Sequence, residues 1–185
     1  MNYQEYLLNR GISIEESLKL SGDDTHVHYP LDVICNGQYY KGWSIRNTQE
    51  KKFRLKLPDG DKKLYYFGLL NSISSNSVFV TEGIEDALIL RHVTPNSIAI
   101  LGLAFNRLKF LCMLFDKVFW VLDQDTRGRE FATSAINRLD DELKCKLFII
   151  VIPYKDVNDY WKADPDSFKR QFQGLIRGRT GFDGQ

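Results

Sequence analysis

Cysteine is scarce. The 185 residues hold three, Cys35, Cys112 and Cys145, and none stands in a Cys-x-x-Cys pair. That spacing argues against a disulfide framework and against a structural zinc site. An excess of charge of one sign is also missing, since 25 Lys and Arg face 24 Asp and Glu for a formal net charge of +1. Any contact with nucleic acid must therefore come from local patches rather than from a basic coat. No apolar run reaches the roughly 18 residues that would span a bilayer. The first ten residues are polar and mixed, unlike a signal peptide, so the cytoplasm is the expected compartment. There is no Walker-type phosphate loop, which argues against an ATP-driven motor, and no Gly-x-Ser-x-Gly elbow or Cys/His nucleophile pair. His26 and His28 share a strand face, but two ordinary histidines explain that spacing as well as a metal would.

What is present is an ordinary globular balance, 43% hydrophobic and 26% charged. The length suits one full domain, or one domain with a small appendage. Residues 1–20 read as two short helices, broken at Gly11, with Ser13 and Glu16 spaced as a capping box. Stretches 25–29, 31–35, 38–45 and 52–57 read as strands. Asn36-Gly37 predicts a tight hairpin, and Asp59-Gly60 marks another turn. Residues 71–77, rich in Ser and Asn, form the expected boundary. Beyond it, short apolar strands at 78–81, 97–101, 118–122 and 147–152 alternate with helices at 84–92, 105–115 and 126–143. Repeated βα units with continuously apolar strands imply a parallel sheet covered on both faces. A closing helix is expected at 167–176, and a frayed tail at 178–185.

In open α/β sheets, ligands bind beyond the carboxyl ends of the strands. Acids crowd there. Glu82 ends one strand, Gly83 allows a sharp turn, and Asp86 follows within one helical turn. Asp123 and Asp125 end another, two residues apart and so able to point the same way. Asp156 and Asp159 follow a third strand. Clustered hard oxygen ligands suit Mg²⁺ or Mn²⁺, and such ions clamp phosphate oxygens during in-line displacement. Any single one of these acids could instead be a helix cap. Their common placement at strand tips favours a site.

At these residues the chain resembles the Toprim family, in the form found in DNA primases. The family pattern is a strand ending in Glu-Gly, an Asp three residues after that Gly, and a later strand ending in Asp-x-Asp. Leu101-Gly102-Leu103-Ala104 is similar to the primase Leu-Gly-Thr-Ala turn. Gly128 and Ala132 fit the helix that follows Asp-x-Asp. Lys155-Asp156-Val157-Asn158-Asp159 resembles the primase Lys-Asp-Pro-Asp-Glu segment, with Val157 and Asn158 as departures. Upstream, Tyr6-Leu7-Leu8-Asn9-Arg10-Gly11-Ile12 resembles the stretch that leads into primase cores. Gly42-Trp43-Ser44-Ile45-Arg46 resembles a hairpin ending in a template-facing arginine.

The resemblance implies a Toprim fold: a Rossmann-like, largely parallel four-stranded sheet with helices on both faces, over residues 77–163. A small α+β subdomain (1–76) would precede it, and a C-terminal helix and tail (164–185) would follow. It implies that Glu82, Asp86, Asp123 and Asp125 are catalytic. These four, with Asp156 and Asn158, would gather Mg²⁺ or Mn²⁺, with no zinc. Arg46, Lys52, Arg54, Lys62 and Lys155 would hold nucleic acid or nucleotide. Lys and Arg outnumber acids eight to three between residues 41 and 63, with Trp43 and Phe53 interleaved, a mix that suits single strands. The implied activity is primer synthesis on single-stranded DNA from nucleoside triphosphates. A replicative helicase or a separate zinc-binding subunit would be partners, and no membrane. The abbreviated first half and the lack of a preceding zinc module point to a minimal or split form of phage or mobile-element type. A Toprim nuclease and a non-catalytic nucleic-acid-binding replication factor are the alternatives.

Overall fold

The computed structural model describes residues 2–50 and 52–178. Two short helices open the chain, α1 (Tyr3–Asn9) and α2 (Ile14–Leu18). Ser13 accepts the Glu16 N–H, but the reciprocal half of the expected capping box is absent, because the Glu16 carboxylate is drawn to Lys19 and Arg91. The complete box forms one helix earlier, between Asn2 and Glu5.

An antiparallel sheet follows. It contains β1 (Ser21–Gly22), β2 (His26–Cys35), β3 (Gln38–Asn47), β4 (Phe53–Lys56) and β5 (Leu64–Tyr66). Asn36 and Gly37 have φ of 51° and 76° and close the β2–β3 hairpin, as the sequence predicted. Two strands were expected on either side of Pro30, yet β2 runs through it unbroken. The reason lies at the edge of β2. Its partner there is β1 as far as His28 and β5 from Asp32 onward, so Pro30 sits in the gap between them. A missing N–H at that position removes no ladder bond.

After α3 (Leu69–Ser72) the parallel sheet begins, with strands β6 (Ser77–Thr81), β7 (Ser97–Ala99), β8 (Lys117–Leu122) and β9 (Leu147–Val151) in the order β7-β6-β8-β9. Helices α4 (Ile84–Leu90), α5 (Phe105–Leu114) and α6 (Thr126–Arg138) form the connections, with the short α7 (Asp141–Lys144) after α6. Alternation along the strands divides the core into two layers. Phe79, Phe119, Val121 and Ile150 pack with α4, the N-terminal segment and the C-terminal helices. Val78, Val80, Trp120 and Leu122 pack with α5 and α6. The single helix expected over 126–143 is broken, because Leu139 is extended at ψ 146° and buried while Asp140 starts α7. The chain closes with α8 (Val157–Ala163), a helix unforeseen from the sequence, and α9 (Pro165–Ile176). Of the tail, residues 179–185 lie outside the described part.

The two sheets are tied through Phe67, which bridges Ala99 by two backbone hydrogen bonds of 3.1 Å. Gly68 makes that approach possible. It has φ +82°, and a Cβ there would stand 2.7 Å from the Ser97 carbonyl oxygen. Strain and overlap add at this position. Gly68→Ala is expected to lower unfolding free energy in urea by about 2 kcal/mol or more. Gly37→Asn, at a positive φ with open space around it, is expected to change it by less than about 1 kcal/mol.

Candidate active site

The strand tips are drawn together by backbone bonds. The Gly102 N–H donates to the Glu82 carbonyl at 3.2 Å, joining the turns after β6 and β7. The Gln124 N–H donates to the Lys155 carbonyl at 2.8 Å, joining the turns after β8 and β9. Beyond these tips lies a cleft of about 460 Å³.

Glu82, Asp86 and Asp123 are among the residues that line it. Gly83 is needed for space rather than for an unusual backbone angle. Its φ is −100°, and a Cβ there would stand 2.9 Å from Asp86 Oδ2. Gly128 has a similar role, since a Cβ there would stand 3.1 Å from both the Asp123 carbonyl and Asp125 Oδ1. Asp125 and Asp156 sit just outside the cleft lining and cap helices. Asp125 accepts the Gly128 N–H at 2.6 Å, and Asp156 accepts the Asp159 N–H at 2.8 Å. The helix-cap reading is thus true of these two, yet both still act on the cleft through their charge. Lys155 is exposed nearby.

The carboxylates are mutually strained. Burial, then Glu82, Asp156 and Asp125, push the Asp123 carboxyl up to about 6. Burial, then Asp123, Asp156 and Glu85, raise Asp86 well above the usual carboxylate range. Burial raises Glu82 too, against the pull of Arg127. Asp86 Oδ1 is sealed from solvent and has no hydrogen-bond partner among the described residues.

Basic residues line the same cleft and were only partly foreseen. Two of them are anchored by Glu85, 6% exposed. Glu85 Oε1 accepts the Tyr6 hydroxyl at 2.7 Å and the Tyr29 hydroxyl at 3.2 Å, and Oε2 accepts Arg10 Nε at 2.8 Å. Arg46 Nε lies 3.1 Å from Oε1 and donates to the Tyr6 hydroxyl at 2.8 Å. Burial and Glu85 push Tyr6 up to about 12, which keeps it a donor at neutral pH. Arg10, Arg46 and Arg127 all line the cleft, with Ser44 and Phe53.

Of the basic residues expected at the site, only Arg46 lines this cleft. Arg54 pairs with Ile45 while Phe53 pairs with Arg46, so alternation sends Arg54 to the other sheet face. Lys52 pairs with Glu50 at 2.7 Å. Lys62 lines a separate concavity. Asn158 is 1% exposed, and its Nδ2 donates to the Arg10 carbonyl, which ties α8 to the segment that carries Arg10. Arg10, Glu85 and Arg127 were missed. A readable signal existed for Glu85, a charged residue flanked by Ile84, Ala87 and Leu88 on a buried helix, where it needs a partner.

Residues 79–161 match the family model described as Toprim-like, and this part of the chain is a Toprim domain. It is set in the fold of primase catalytic cores. The Aquifex aeolicus primase, solved as its zinc-binding and RNA polymerase domains, is 21% identical with a TM-score of 0.67, over 94% of this chain and 55% of that one. The primase fragment of the bacteriophage T7 primase-helicase is 21% identical with a TM-score of 0.64, over 89% and 72%. A DnaG primase catalytic domain bound to single-stranded DNA is 18% identical with a TM-score of 0.66, over 94% and 70%. The chain therefore spans about half the length of the Aquifex structure. No curated protein matches it.

Toprim domains in general bind Mg²⁺. Among the described residues no three His, Cys, Asp or Glu side chains are gathered closely enough to hold an ion. The donor set nevertheless fits a hard divalent cation: oxygen ligands, mutual repulsion, and a sealed Asp86 oxygen without a partner.

Three outcomes follow. The folded state holds a proton on Asp123 up to about pH 6, while the unfolded chain loses it near 3.8. Between these values the folded form binds more protons, so this group's contribution to stability falls as pH rises and stays low above the upper value. In chelator, Asp123→Asn is expected to melt higher than the parent at pH 7.5, with the gap closing toward pH 4. Mg²⁺ is expected to raise the melting temperature of the parent more than that of the variant. Glu85→Ala leaves Arg10 and Arg46 without their buried partner and is expected to destabilise the protein by about 3 kcal/mol in urea titration.

Proposed function

We propose that this chain is a minimal primase-like nucleotidyltransferase that synthesises short primers on single-stranded DNA. The observation that carries the reading is one cleft lined both by carboxylates, Glu82, Asp86 and Asp123, and by cations, Arg10, Arg46 and Arg127. A triphosphate needs both sets: cations for its phosphate oxygens, and carboxylates for the divalent ions that travel with it.

In the reaction, a 3′-hydroxyl oxygen attacks the α-phosphorus of a nucleoside triphosphate. The new P–O bond forms as the bond to pyrophosphate breaks. Arg10 and Arg46, held in place by Glu85, orient the phosphates and take up developing charge on their oxygens. Glu82, its affinity for protons raised by burial, accepts the hydroxyl proton. Asp86, Asp123 and Asp125, with Asp156, would hold Mg²⁺ or Mn²⁺, which supplies charge neutralisation at the phosphates when bound. Phe53 offers a ring for a base. The reading is supported by the fold shared with primase cores. A helicase or a separate zinc-binding subunit is the partner it suggests, by analogy with the T7 primase-helicase and the zinc-binding domain of the Aquifex structure.

The test is incorporation of labelled nucleotides on circular single-stranded DNA with Mg²⁺ or Mn²⁺. Wild type should yield short products, Asp123→Ala none, and Arg46→Ala at least about 100-fold less, the scale of losing one transition-state charge contact. Degradation of the circle that depends on Asp123 would replace this reading with a Toprim nuclease. Binding without either reaction would leave a non-catalytic replication factor.

A further inference from the structure

The chain has a second concavity, of about 590 Å³, whose lining includes Lys62, Lys63, Arg107 and Arg138 and no acid. We propose that it binds the phosphodiester backbone of a nucleic-acid single strand, as an extension of the active-site cleft. The claim that the strand continues into that cleft rests on the function proposed above; the binding itself does not.

The four cations come from three separate parts of the chain: the loop before β5, the first turn of α5, and the end of α6. Without a neutralising carboxylate they repel one another, and an anion between them relieves that repulsion. Two are already fixed in position. The Arg138 guanidinium lies 3.9 Å from the centroid of the Phe105 ring, and that of Arg107 lies 4.0 Å from Tyr65. Arg107 is held further by a 2.9 Å bond to the Leu101 carbonyl, while its Nε is sealed without a partner among the described residues. Cations held over rings lose little freedom when a phosphate arrives. The first turn of α5 lines the same space and has no side-chain cap, so its N–H groups add to the positive field.

Two features favour a strand over a free nucleotide. No carboxylate is present to receive the divalent ion that accompanies a triphosphate. The concavity also adjoins the cleft, because Leu101 and Gly102 line one and Ala104 lines the other. The turn between them is bare at Gly102, where a Cβ would meet nothing within 4 Å. A backbone of repeated phosphates can cross that turn, touching cations on both sides.

The experiment is a titration of a fluorescent single-stranded oligodeoxynucleotide, followed by anisotropy over a range of salt concentrations. The paired substitution Lys63→Glu with Arg138→Glu should weaken binding about ten-fold or more. It should also reduce the slope of log affinity against log salt by about 1.4, two contacts at about 0.7 each. Lys117→Glu, an exposed reversal at the opposite ends of the strands, should leave both within about two-fold. Arg138→Lys, which keeps the charge, should recover most of the affinity and exclude misfolding as the cause. Asp123→Asn should bind the strand at least as tightly as the parent, so a failure to make primers would not touch this result. Unchanged affinity and slope in the paired variant would overturn the proposal. So would equal weakening by Lys117→Glu, or an equal loss of affinity for ATP, which would assign the concavity to a free nucleotide.

Discussion

The buried carboxylate of Glu85 is the contact on which the cleft at the strand tips depends. It lies on α4 of the Toprim domain, yet its partners Tyr6, Arg10, Tyr29 and Arg46 come from α1, the turn after it, β2 and β3. A charge taken out of water must be compensated locally. Here the compensation recruits two arginines and two hydroxyls from elsewhere in the chain. The same contacts hold those arginines in the cleft lining. Packing of the N-terminal segment and placement of Arg10 and Arg46 are thus one event.

The acids of the cleft follow the opposite logic. Their carboxylates are held near one another without enough cations to satisfy them, and burial makes the conflict worse. Rigid surroundings sustain the arrangement. Gly83 leaves room for the Asp86 carboxylate, Gly128 lets the Asp123 carbonyl approach closely, and Asp125 and Asp156 are anchored as helix caps while still lending charge. Strain of this kind is a common mark of sites that meet a charged ligand.

The parallel sheet was legible because its strands are continuously apolar, and the acids of the cleft were legible because they stand at, or within a turn after, the ends of its strands. The β2–β3 turn was legible because Asn-Gly has a specific backbone preference. What escaped had non-local causes. Pro30 looked like a break, since nothing in its neighbours reveals that β1 and β5 leave a gap there. Leu139 looked helical, since its preference gives way to burial against the sheet. Arg54 and Lys62 belonged to the right basic segment, but only the strand pairing shows that Arg54 lies on the other sheet face from Arg46, and only the folded loop before β5 takes Lys62 to a separate concavity. The partnership of Glu85 with Arg10 links residues 75 apart in sequence, which no local pattern records.

The bridge between Phe67 and Ala99 bears on the order in which the chain assembles. The β2–β3 hairpin closes over two residues, so its loop entropy is small and it can form early. The parallel strands must each wait for a helix-long crossover. Phe67, next in the chain after the strand that pairs with that hairpin, brings its backbone to β7. The small leading half can thereby act as a template along which the larger half nucleates its first parallel strands.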